Sequence, residues 1–141
     1  MSLENIISVQ GKSGLFEIVS KSKLNILIKD LETGKKITIS TQTNVILISN
    51  ITVFTDNEED IKIQQIFVSI YNKEKEGDIV SYKDEASTLF EYFSHVLPTF
   101  DRKRVYHSDL KKIFRWYEIL KSNNIIEELV ENSLKPESLE E

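Results

Sequence analysis

"VILISNITVFTDNEEDIKIQQIFVSIYNK", Val45 to Lys73, contains the point at which the chain changes its period. At its start, apolar and β-branched residues come in short runs and at alternate positions, the pattern of strands that bury one face. At its end Ile63, Ile66, Phe67, Ile70 and Tyr71 recur at spacings of three, four, seven and eight, which is one face of a helix. Between the two lies "TDNEEDIK", Thr55 to Lys62, short and acidic. A connection of this length does not hold two bodies apart, so the halves on either side are expected to pack together.

Upstream, strand language continues to the N-terminus: "IISV" (Ile6 to Val9), "LFEIVS" (Leu15 to Ser20), "LNILIKD" (Leu24 to Asp30) and "KITIS" (Lys36 to Ser40) are separated by turn material. In "LETGKK", Gly34 can take the positive φ that a hairpin demands. No helix interrupts these strands, and a parallel pair needs a long crossover, so the expectation is an antiparallel meander curled into a small SH3-like β-barrel over residues 1–56. Downstream, Gly77 ends the first helical pattern. "DEASTLFEYFSHVLP" resumes it with Ala86, Leu89, Phe90, Phe93, Val96 and Leu97 on one side, and Pro98 stops it. A third helix should start near Ser108, with the serine hydroxyl as cap and Asp109 in the first turn, and run to about Ser122. "IIEELVENSL" supplies a short fourth with Ile125, Ile126, Leu129 and Val130 on its face. The fold class is therefore α+β, a barrel followed by a half of three to four helices over 57–133. Residues 134–141 read as a disordered acidic tail.

Composition removes several classes of function. A chain of 141 residues with 40% hydrophobic and 29% charged residues is a soluble globular protein, and without cysteine it has no disulfide, no thiolate zinc site and no thiol nucleophile. The longest apolar run is "VILI", Val45 to Ile48, against the ~20 residues of a membrane span. "MSLENIISVQ" lacks the basic start and continuous apolar core of a signal peptide, which points to the cytoplasm and makes the sequon "NIT" (Asn50 to Thr52) irrelevant. "VQGKSG" fails as a phosphate loop, because Ile6 stands where the first glycine belongs and strand rather than helix follows. "HSD", His107 to Asp109, holds triad residue types side by side, where neighbouring side chains diverge. Neither His95 nor His107 has a second ligand at helical metal spacing. The reading is a non-enzyme without catalytic residues, metal or cofactor.

One stretch resists that bland account. "DRKRVYHSDLKKIFRWY", Asp101 to Tyr117, sits in a block, residues 99–124, of net charge +4 within a chain of net charge −5. On a helical wheel Leu110, Ile113, Phe114, Tyr117 and Leu120 face the core, and Lys111, Lys112 and Arg115 occupy the other side. Arg102, Lys103 and Arg104 would extend that cationic face, with Tyr106 as a stacking ring beside it. Trp116 and Ile119 form a second apolar facet that should be covered by the strand half, by the fourth helix or by another subunit. These residues mark a contact surface. The first reading is an interaction or adaptor module that binds a protein partner; the alternative is a nucleic-acid-binding accessory protein gripping phosphate through the six cations. No membrane partner is expected, and a homodimer is left open.

"MSLENIISVQGKSGLFEIVSKS", "VFTDNEEDIKIQQIFVSIY" and "VLPTFDRKRVYHSDLKKIFRWYEIL" together resemble small uncharacterised proteins of Bacteroidetes, described as domains of unknown function. The resemblance runs roughly from Met1 to Leu120. It implies a cytosolic bacterial protein with a strand-rich N-terminal part joined to a helical C-terminal part, and it assigns no site residue.

Overall fold

The computed structural model describes residues 3–57 and 59–133. After a 3-10 turn at Leu3–Asn5 come five strands: β1 (Ile6–Val9), β2 (Phe16–Lys21), β3 (Asn25–Asp30), β4 (Lys36–Ser40) and β5 (Val45–Leu47). All pair antiparallel in the order β4-β3-β2-β1-β5. The β3–β4 hairpin closes as its sequence demands. Gly34 takes φ +78° and donates its N–H to the Asp30 carbonyl at 2.7 Å, which sets Ile28 opposite Ile37 and Ile26 opposite Ile39.

The barrel expected over residues 1–56 is not formed: the sheet is open, with β4 and β5 as its two edges. It is nonetheless strongly curled. A flat five-stranded sheet would hold its edges about 19 Å apart at ~4.8 Å per strand. Only Thr41–Asn44 connect them, and a turn from the Thr43 N–H to the Ser40 carbonyl shortens that link further. A bulge in β2, where Val19 has no partner between Ile18 and Ser20, bends the sheet in the same way. β5, three residues long, pairs with β1 on one edge only and passes at once into a 3-10 turn at Ile48–Asn50, so it offers β4 little strand to close on. The curl encloses its own apolar cluster of Ile7, Val9, Phe16, Ile26, Ile28 and Ile39.

The acidic seam is stitched by hydrogen bonds. β6 (Thr52–Val53) pairs with β7 (Ile61–Lys62), and Thr55 bridges to Phe100. Four helices follow: α1 (Ile63–Glu74), α2 (Ala86–Val96), α3 (His107–Ser122) and α4 (Ile125–Ser133). Their apolar faces meet in a second core that also takes in Leu3, Ile6, Leu15, Leu31 and Ile48 from the strand half. The expected start of α3 needs correction. Ser108 is not its cap; the helix begins at His107, and the Asp109 carboxylate accepts the Tyr106 N–H at 2.9 Å. A carboxylate at the third helical position reaches back further than a hydroxyl and adds charge at the positive end of the helix dipole. The proposed acidic tail, residues 134–141, lies outside the described residues.

Candidate docking groove

α3 lies against the outer face of the sheet, and the seam between them is a groove of two lobes. The first, about 250 Å³, is bounded by Ser8 and Ile46 of the sheet, Thr52–Phe54 at β6, and Arg104, Val105, Asp109, Lys112 and Trp116 around the start of α3. The second, about 300 Å³, continues past Ser8, Lys112 and Trp116 to Lys12, Ser13 and Gly14 of the β1–β2 loop, Tyr82, Lys111 and Arg115. The two lobes share those three residues and so adjoin across the indole of Trp116. Ile46 is 57% exposed and Phe54 39% exposed.

The segment before α3 is shaped by Asp101. Its carboxylate accepts the Lys103 N–H at 2.9 Å and Arg104 Nε at 2.8 Å, while its carbonyl accepts the Val105 N–H at 2.9 Å. The Arg104 hydrogen bond, with the Lys103 amide, holds the Asp101 carboxyl below its ordinary range. Its backbone is tied in turn to the strand half, the Asp101 N–H donating to the Phe54 carbonyl at 2.9 Å. Arg104 is thereby laid over the Phe54 ring, 4.3 Å from its centroid, on the groove wall. Arg102 goes elsewhere, covering Phe100 at 4.5 Å. At the other end Arg115 donates to Glu32 Oε1 at 2.9 Å and lies 5.3 Å from the Tyr82 ring; the Glu32 hydrogen bond raises its pKa. Burial pushes the neighbouring Glu118 carboxyl up.

The residues singled out from sequence are thus divided. Arg104, Lys111, Lys112, Arg115 and Trp116 line the groove, whereas Arg102 and Lys103 do not. The second apolar facet of α3 is covered within the chain. Ile119 is 5% exposed and shares the core with Leu31, and Trp116 is 8% exposed, forming the floor rather than a protruding anchor. Tyr106 points to solvent and lines neither lobe. Ile46, Phe54, Lys12 and Tyr82 were missed. Each is distant from α3 in sequence, and only Ile46 left a local signal, in that the run through β5 is apolar at consecutive positions, more than a one-faced strand requires.

Two family models match the chain. Residues 3–48 match the family described as "Domain of unknown function (DUF5606)", and residues 51–120 match "Domain of unknown function (DUF6852)". The chain is similar over 87% of its length to a protein from Bacteroides vulgatus whose solution NMR structure was determined by the Northeast Structural Genomics Consortium. Identity is 32%, the TM-score is 0.70, and 88% of that protein is covered. No curated protein matches. Among the described residues no helix is long and apolar enough to cross a membrane.

Proposed function

Since the chain belongs to a family of small Bacteroidetes proteins that joins these two domains of unknown function, we propose that it is a non-enzymatic interaction module that docks a protein partner in the groove between the sheet and α3. One observation carries this reading: Ile46 and Phe54 stay exposed while both line one concave lobe whose other lining residues are largely apolar. A lone exposed isoleucine means little, but apolar side chains gathered in a concavity and rimmed by charge have the composition of an interface. The lobe volumes, near the lower limit of the ~300–1,000 Å³ usual for small-molecule sites, suit the side chains of a bound segment. Cytoplasmic location belongs to the same proposal.

Nucleic acid is the second reading, favoured by Lys111 and Lys112 on the exposed face of α3. Selection of displayed random peptides separates the two. Peptides should be enriched that bind the wild-type protein and lose binding to Ile46→Asp and Phe54→Asp, both surface changes. Failure to enrich any peptide, together with oligonucleotide binding that falls steeply with salt, would replace the protein-docking reading by the second one.

A further inference from the structure

We propose that the occupant of the groove is an acidic segment of a partner protein carrying an apolar anchor; this rests on the docking reading and adds the chemistry of the partner. The lining of the two lobes contains five cationic side chains, Lys12, Arg104, Lys111, Lys112 and Arg115, against one acidic residue, Asp109. Asp109 already accepts the Tyr106 N–H at the head of α3, while Arg104 is answered by Asp101 and Arg115 by Glu32. Lys12, Lys111 and Lys112 have no ion-pair partner among the described residues.

These three lysines come from two distant parts of the chain. One sits in the β1–β2 loop and two in the first half of α3, yet all border the lobe on one side of Trp116. Three like charges gathered there repel one another, and an anionic occupant relieves that repulsion. The apolar join and the adjoining lobe, with Ile46, Val53, Ile113 and Trp116, then receive an aliphatic or aromatic anchor.

The same geometry disfavours a nucleic acid. Stacking needs an open ring face, and the rings of Phe54 and Tyr82 each already have a guanidinium over them, at 4.3 and 5.3 Å. Aliphatic side chains, Ile46, Ile51, Val53, Val105 and Ile113, make up most of the apolar lining of the first lobe, which suits a leucine better than a base. The flanking blocks 56–98 and 125–141, of net charge −6 and −5, would also repel a polyphosphate that extends beyond the groove.

The test uses the full chain and a short fluorescein-labelled peptide with one leucine and one phenylalanine among aspartates and glutamates. Its isosteric counterpart has asparagine and glutamine in their place, and labelled oligo-dT is the third probe. Binding is read by anisotropy and by the emission of the single tryptophan at the groove floor. The acidic peptide should bind, shift that emission, and bind about tenfold more weakly to the Lys12→Gln, Lys111→Gln, Lys112→Gln variant, the loss expected for three exposed ion pairs. Equal binding of the neutral peptide, lost in Ile46→Asp, overturns the acidic inference and leaves the docking reading standing. Oligo-dT binding with no peptide binding overturns both, and binding of none of the three overturns the acidic inference.

Discussion

Gly14 sits at φ +86°, and a β-carbon there would lie 2.6 Å from Glu32 Oε1, the oxygen that Arg115 holds. Gly11, three residues earlier, has φ +83° with open space around it. The pair separates two effects. Gly11→Ala carries only the backbone penalty of a left-handed residue, roughly 1 kcal/mol, whereas Gly14→Ala adds displacement of Glu32 and should cost about 2–3 kcal/mol. Urea denaturation of both variants measures the difference, and equal losses would show that Glu32 moves aside freely. The loop "QGKSG" was legible as a glycine-dependent turn. That its lysine borders the groove was not, because the neighbour it meets there is about a hundred residues further along the chain.

Between elements, α1 and α3 are clasped by one carboxylate. Glu74 accepts Tyr117 Oη at 2.7 Å and Lys121 Nζ at 2.6 Å. Burial raises the pKa of Glu74, but the hydrogen bonds from Lys121 and Tyr117 outweigh it and hold the carboxyl below its ordinary range. A depressed folded-state value contributes stability that is complete above the unfolded pKa, ~4.3 for a glutamate, and is lost as pH falls through the lower folded value. Acid unfolding of the wild type should therefore steepen below about pH 4.3, and Glu74→Gln should flatten that part of the curve. The phenol of Tyr117 is pushed up, by burial first and then by the carboxylate it bonds, so it stays a donor at neutral pH. Tyr117→Phe removes one donor and should cost about 1–2 kcal/mol in denaturant. An unchanged midpoint would mean that water replaces the hydroxyl. The helical period placed Tyr117 on the core face of α3, but it carries no information about which carboxylate the phenol meets.

At the scale of the whole molecule, residues of both matched families share one core, which should make them one folding unit. Phe93→Ala, in the helical half, leaves a large cavity and should cost about 3–5 kcal/mol. Because Ile6, Leu15 and Leu31 share that core, the strands should unfold with the helices. Far-UV circular dichroism and Trp116 fluorescence should then report coincident transitions in both wild type and variant. Two separated transitions would show that the halves unfold independently. The α+β class, the first four strands, most of the apolar face of each helix and the turn at Gly34 were written in the sequence, because each depends on periodicity or φ preference within a few residues; the single strand expected over Val45 to Phe54 was not, since a 3-10 turn at Ile48–Asn50 splits it between two sheets. The open edges of the sheet, the Asp109 cap in place of Ser108, the division of the basic stretch and the groove itself were decided only in the tertiary structure. Whether β4 meets β5, which ring an arginine covers and which lysines share a lobe depend on distances between residues far apart in the chain, and local patterning does not encode those distances.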